Sequence, residues 1–289
     1  MKKKSIFLAV ALISAACGSP EKMRMKDPVD YVNPLMGTAS TYELSTGNTY
    51  PAIALPWGMN FWTPQTGRNG DGWTYTYSAT KIRGLKQTHQ PSPWINDYGS
   101  FSIMPVTTGP VYDEEGRLSW FSHKAETVKP YYYQVYLAEH DVVAELAPTE
   151  RAAAFRLTYP EKEMSYLVVD AYSGGNAEVI GDRNMIVGYS TANHGGVTEN
   201  FRNWFVVVSD TPFETRTTDG HIAMVGFKTV KGQKVNLKVA SSFISQEQAE
   251  LNLNELSGRS FDEIAQAGRA RWNEVLGRIA VEDDNLDNL

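Results

Sequence analysis

From Tyr131 to Val239 the chain is a succession of short β-prone runs, each closed by a break rich in Gly, Pro, Asn or charged residues. Tyr131–Leu137, Val142–Leu146, Ala152–Tyr159, Tyr166–Asp170, Met185–Tyr189, Trp204–Val208, His221–Phe227 and Val235–Val239 are such runs. Pro148-Thr-Glu150, Ser173-Gly-Gly-Asn176 and Lys231-Gly232 separate some of them. Many short strands at near-regular spacing, with no strand–helix alternation, predict an antiparallel β-sandwich and disfavour the doubly wound and barrel α/β folds. The β signals extend loosely from Pro28 to about Phe243.

After Ser241 the period changes. Ser245-Gln-Glu-Gln248 has the spacing of a capping box, in which a Ser hydroxyl and a Gln side chain satisfy each other's backbone amides. It predicts a helix ending near Leu256, before Gly258. A second start is expected at Ser260 with Glu263. Beyond it Ile264, Gly268, Trp272, Val275 and Ile279 recur at steps of three and four and form one apolar stripe. Such a stripe must be buried against something, either the sandwich itself or a further domain.

The other end sets the compartment. Lys2, Lys3 and Lys4 precede an apolar core from Ile6 to Ile13, too short for a membrane-spanning helix, and Ser14-Ala15-Ala16-Cys17-Gly18 follows. This pattern resembles a lipoprotein signal whose lipobox ends at Cys17, the expected lipidation site. It implies a lipid anchor in a membrane of the bacterial cell envelope, periplasmic or surface-facing. Cys17 is the only cysteine, so no disulfide forms within the chain and no thiolate cluster holds a metal. The expected organisation is residues 1–17 signal, 18–29 tether, 30–243 sandwich and 244–289 helical linker.

The formal net charge is −6, and no basic run follows the signal, which argues against nucleic acid as a partner. Tyrosine and tryptophan are plentiful although mean hydropathy is negative, and exposed rings on a polar exported protein suit carbohydrate. The segment from Tyr31 to Pro105 is dense in Gly, Pro, His and Trp and reads as long irregular loops of the functional kind. Within it His89 and Asp97 form a conceivable acid–base pair. Glu43, Asp71 and Asp97 are carboxylates of the sort a glycosidase employs in pairs. Neither a nucleophile elbow nor a His-Glu-x-x-His motif occurs, and the five histidines are scattered.

Asn33-Pro-x-x-Gly37, Gly47-Asn-Thr-Tyr-Pro51, Pro56-Trp-Gly-Met59, Gly84-x-x-x-Thr-His89 and Asp97-Tyr-Gly99 together resemble the N-terminal domain of glycoside hydrolase family 92, the exo-α-mannosidases. The resemblance runs from about Asp30 to Val281. It implies a sandwich of the galactose-mutarotase-like, supersandwich type, joined by a helical linker to an (α/α)6 barrel, with the active site between them. It also implies an inverting, calcium-dependent reaction. The catalytic acid and base and most calcium ligands would belong to the barrel, which would begin near Asn285–Leu289, so no catalytic or metal residue is assigned to this chain.

The His89-Gln-Pro-Ser-Pro-Trp94 loop is similar to that of members cutting α-1,2-linked mannose. The resemblance gives Trp94 the +1 mannose, with Ser92 and His89 beside it. In Thr191-Ala-Asn-His-Gly-Gly-Val-Thr-Glu-Asn-Phe201 it brings Gly195 and Gly196 close to the −1 mannose. Gln65 and Thr66 are expected on the same rim. The leading expectation is therefore a module that frames mannose-containing glycans for an exo-α-1,2-mannosidase and is inactive alone. A lectin-like surface lipoprotein and a non-functional fragment are the alternatives.

Overall fold

The computed structural model describes residues 23–24, 27–39, 49–71, 74–89, 92, 94–283, 285 and 288. The expected signal, the lipobox with Cys17, most of the tether, and Glu43 lie outside them. The main strands are β1 (Phe61–Gln65), β2 (Gly84–Thr88), β3 (Phe101–Val106), β4 (Glu126–Lys129), β5 (Tyr132–Leu137), β6 (Val142–Pro148) and β7 (Ala152–Tyr159). They continue with β8 (Lys162–Asp170), β9 (Asn176–Ile180), β10 (Met185–Ser190), β11 (Asn203–Ser209), β12 (Thr215–Asp219), β13 (Ile222–Thr229) and β14 (Gln233–Ser242). Helices α1 (Gln246–Asn252) and α2 (Phe261–Leu276) follow.

The strands form two antiparallel sheets. One has eight strands in the order β9-β10-β11-β14-β7-β6-β5-β4, and the other has six in the order β12-β13-β8-β3-β2-β1. This is the sandwich expected from the alternation. In β14, for instance, Val235, Leu237 and Val239 are buried while Lys234, Asn236 and Lys238 face outward. Rings from both sheets meet in the core. Trp62 packs edge-on against Phe101 and Phe155 at 5.6 and 5.0 Å between centroids, and Phe101 stacks on Phe205 at 4.5 Å.

The stretch read as irregular loops proves to hold β1, β2 and β3, half of the six-stranded sheet. Alternation does not reveal them because they are buried on both faces. All six residues of β3 and all five of β2 are buried, including Lys86, Gln87 and Thr88. Strands covered on both sides show no polar face, and here polar side chains with internal partners occupy positions that apolar ones normally fill.

The helices cover the outer face of the eight-stranded sheet. Ala147, Ala152, Ala154 and Ala240 present small side chains there, on which Ala249, Leu256, Phe261 and Ile264 pack. Ser260 starts α2 with a complete capping box: its hydroxyl accepts from Glu263 N–H, and the Glu263 carboxylate accepts from Ser260 N–H. The box expected at Ser245 is only half formed. Ser245 Oγ accepts from Gln248 N–H, but the Gln248 amide turns forward to Asn252 Oδ1. α1 passes into a 3-10 turn over Leu253–Leu256 before Gly258, close to the expected end. The stripe on α2 docks on the sandwich at Ile264 and Gly268, and Trp272 Nε1–H donates to Ala54 O at 2.8 Å. Ile279 lies past the end of the helix and is exposed.

Candidate functional site

One end of the sandwich is closed by a polar bridge between the sheets. Gln87 of β2 donates to Ser241 Oγ of β14 at 3.0 Å and accepts from Asn203 Nδ2 of β11 at 3.0 Å. Asn203 Nδ2 also donates to Gly99 O at 2.7 Å. The 89–99 loop leaves β2 directly above this bridge.

Asp97 clasps that loop. Its Oδ1 accepts from His89 N–H at 3.0 Å and from Tyr98 N–H at 2.8 Å, so one carboxylate oxygen ties both ends of the loop. Lys86 Nζ lies 3.8 Å from Asp97 Oδ2, and both side chains are 5% exposed. Burial lowers the Lys86 pKa, with Asp97 opposing that shift. The His89 ring is held by Tyr98 O, 2.7 Å from Nδ1, and by an edge-on contact with Phe243 at 4.7 Å. Burial holds its pKa below the ordinary 6.5 in spite of Asp97, so the ring is neutral at pH 7 and donates through Nδ1. His89 and Asp97 are thus joined through backbone rather than as the acid–base dyad their types suggested. Burial pushes the hydroxyl of Tyr50, from the Asn-Thr-Tyr-Pro motif, up to about 12, with Thr88 opposing that shift and the Asp97 charge adding to it.

At the tip, Ser92 Oγ accepts from Trp94 N–H and Ile95 N–H at 3.1 and 3.3 Å, a hydroxyl-capped turn that aims the indole outward. Trp94 is 77% exposed. Its ring is not folded onto the sandwich.

The second loop is stitched to the first. Gly99 N–H donates to Ala192 O at 2.7 Å, Tyr98 Oη donates to Gly195 O at 3.1 Å, and Asn96 Nδ2 lies 2.8 Å from His194 Nε2. Gly99 makes this approach possible. Its φ is +62°, and a Cβ there would stand 2.7 Å from Asn203 Cβ and 2.9 Å from Phe243. Gly195 and Gly196 also have positive φ, and a Cβ on either would meet no atom within 4 Å. The backbone there faces open space.

The structure therefore brings Ser92, Trp94, His89, Gly195 and Gly196 together, with His89 beneath the loop rather than on its surface. Gln65 stands behind them. It is fully buried, donates to Glu114 Oε1 and accepts from Tyr172 Oη at 2.9 Å. Thr66 Oγ1 accepts from Thr76 N–H, and its carbonyl accepts from Arg83. Sequence reasoning missed Lys86, Gln87, Asn203 and Phe243. A charged residue in a strand leading into a Gly- and His-marked loop was the only signal for Lys86. Met59, Phe243 and Ile244, beside the site, are exposed apolar side chains, as is Trp57. Met59, Phe243 and Ile244 line one groove. Among the described residues no three of His, Cys, Asp and Glu converge as metal ligands do.

Residues 31–253 match the model of the glycosyl hydrolase family 92 N-terminal domain. An inverting family GH92 mannosidase from Bacteroides thetaiotaomicron VPI-5482 is 44% identical, with a TM-score of 0.82 over 86% of this chain and 36% of that one. A second family GH92 alpha-mannosidase from Bacteroides thetaiotaomicron is 26% identical, with a TM-score of 0.74 over 88% and 38%. The chain thus spans little more than a third of the length of these enzymes. No curated protein matches.

Proposed function

Because this chain belongs to glycosyl hydrolase family 92, whose N-terminal domain it carries, we propose that it is the substrate-framing module of an exo-α-1,2-mannosidase acting on mannose-containing glycans. The observation that carries the reading is the anchored loop pair. An exposed indole stands on a loop clasped by Asp97 and Ser92, next to open glycine backbone. A rigid ring offers the C–H face of the +1 mannose a wide apolar contact and one N–H donor. The Gly195–Gly196 backbone admits the −1 mannose closely. Holding a sugar in one pose contributes to lowering a barrier but moves no proton.

The proton transfers of an inverting reaction need an acid at the leaving oxygen and a base for water on the opposite face. In this reading both carboxylates, and most of the calcium ligands, come from an (α/α)6 companion portion. The groove of Met59, Phe243 and Ile244 is the surface that receives it, since contiguous exposed apolar side chains mark contact sites. The lipidated Cys17 would hold the module at the cell envelope. Palmitate labelling that disappears in Cys17→Ser tests the anchor.

The framing role is tested by titrating α-1,2-mannobiose into the purified chain. Saturable binding without turnover is expected, and Trp94→Ala should weaken it about tenfold, the worth of one good aromatic contact, at unchanged melting temperature. Turnover of mannobiose by the chain alone, or binding indifferent to Trp94→Ala, overturns the reading.

A further inference from the structure

On the outer face of the eight-stranded sheet, away from the two loops, a groove of about 540 Å³ opens between the strands and the first turn of α2. Its shape follows from register. Val208 of β11, Lys238 of β14 and Ala154 of β7 stand opposite one another across three strands, and Asn236 stands opposite Arg156 beside them. Residues opposite each other in an antiparallel ladder share a face. The small Ala154 leaves a depression there, lined by Val208 and, from α2, by Phe261 and Ile264.

The floor is apolar and the rim is basic. Arg156, Lys234, Lys238 and Arg259 face Asp210 and Asp262 around it, on a chain whose net charge is −6. The carboxylates are already engaged. Asp262 accepts from Arg156 at 2.9 Å, and Asp210 accepts from the backbone N–H and Nδ2 of Asn236 at 2.9 and 2.6 Å. The neighbouring Glu263 accepts from the N–H and hydroxyl of Ser260, each at 2.8 Å. Arg156 is occupied as well, by Glu145 at 2.7 Å and by the Phe261 ring 4.3 Å beneath its guanidinium. Lys234, Lys238 and Arg259 are exposed, and among the described residues none of the three forms an ion pair.

Unpaired cations around an apolar floor select a partner that is both anionic and apolar. Spacing decides which kind. Lys234 and Lys238 are four residues apart on one strand, roughly 13 Å, so a fatty anion with one head group meets only one of them. A bilayer takes up apolar side chains that protrude into it, whereas this apolar surface is recessed. An extended peptide with acidic residues at i and i+4 and an apolar one at i+2 matches both features. All three side chains lie on one face, and the carboxylates are the same ~13 Å apart.

We propose that this groove docks an acidic segment of a partner protein, with an apolar side chain entering against Val208 and Phe261 and carboxylates meeting Lys234, Lys238 and Arg259. It is distinct from the groove of Met59, Phe243 and Ile244: Ala240 of β14, packed in one cluster with Leu256, stands between the two along the strand.

The test is fluorescence anisotropy of a labelled peptide, Gly-Glu-Ser-Leu-Ser-Glu-Gly, titrated with the whole chain. Saturable binding that weakens as salt is raised is expected. The double variant Lys234→Glu, Lys238→Glu should weaken it about tenfold or more, since reversal turns attraction into repulsion at both positions. Both lysines are exposed, so the melting temperature should stay unchanged. Arg259→Glu, on the other wall, should weaken binding independently, and Ser in place of the peptide's Leu should do so about tenfold. Equal binding of a peptide with Lys in place of each Glu overturns the selection by charge. Binding indifferent to the double variant and to Arg259→Glu overturns the location, and no binding overturns the proposal. Phosphatidylglycerol vesicles that sediment the natural chain but not the double variant, with the peptide unbound, overturn it in favour of a membrane.

Discussion

Replacing Asp97 by Asn isolates the clasp of the 89–99 loop. Asparagine keeps an oxygen for His89 N–H and Tyr98 N–H but removes the charge 3.8 Å from Lys86. The lysine then has two courses. It stays charged in a buried site without its carboxylate, a state that costs about 3–5 kcal/mol, or it releases its proton. Neutralising a lysine of ordinary pKa 10.5 at pH 7 costs about 3.5 pH units at 1.36 kcal/mol each, or roughly 5 kcal/mol. The cheaper course sets the loss, so Asp97→Asn should destabilise the fold by about 3–5 kcal/mol at pH 7. The pH dependence gives the second handle. Where the mutant folds with a neutral lysine, its unfolded chain binds one proton more, so stability recovers as pH rises, by about 1.4 kcal/mol per unit. Urea unfolding at pH 7 and pH 9 measures both, and the Lys86→Met, Asp97→Asn double variant should regain much of the loss. A loss below about 1 kcal/mol that is the same at both pH values refutes the argument, because Lys86 and Asp97 would then not be a coupled buried pair.

Three further outcomes follow from the packing. Trp62→Ala removes a ring wedged between Phe101 and Phe155 and frees Asn60 Oδ1, which its indole N–H reaches at 2.6 Å. It should cost about 3–5 kcal/mol, read as a lower urea midpoint at unchanged slope. Ser260→Ala breaks the complete capping box of α2 and should cost about 1 kcal/mol, with faster amide exchange confined to the first turn of that helix. Acid should weaken the fold through His89. Its folded pKa is held below 6.5, so the unfolded chain takes up a proton first as pH falls below 6.5. Stability is then lost at up to about 1.4 kcal/mol per unit until the lowered value is reached. Melting temperatures at pH 7.5 and 5.5 should diverge less in His89→Gln than in the natural chain, and an equal divergence in both would remove His89 from the account.

The fold class was legible wherever a strand has one wet face. The β14 pattern Lys234-Val-Asn-Leu-Lys-Val239 alternates in the structure as it does in the sequence, and Ser260 with Glu263 marks the start of α2. Legibility failed at Gly84-Leu-Lys-Gln-Thr88 and Phe101-Ser-Ile-Met-Pro-Val106. These strands are buried on both sides, and their polar residues are paid for by partners far along the chain, such as Ser241 and Asn203 for Gln87. Gln65 illustrates the reverse error. A polar residue expected at a rim is an interior one, bonded to Glu114 and Tyr172.

The candidate site divides the same way. The loop carrying Ser92, Trp94 and Gly99 could be found from composition and motif, because turn-capping hydroxyls, rigid rings and positive-φ glycines are properties of single residues. The sequence by itself thus determined that an antiparallel sandwich carries one loop with a Trp and another with a pair of glycines. Only the tertiary structure decided that the two loops form one surface and that Asp97 serves the backbone and Lys86 rather than the His89 ring. Those facts depend on pairs such as Tyr98 with Gly195 and Asn96 with His194, nearly a hundred residues apart. Local propensity carries no information about contacts at that range; the sheets that hold both loops at one end of the sandwich create them.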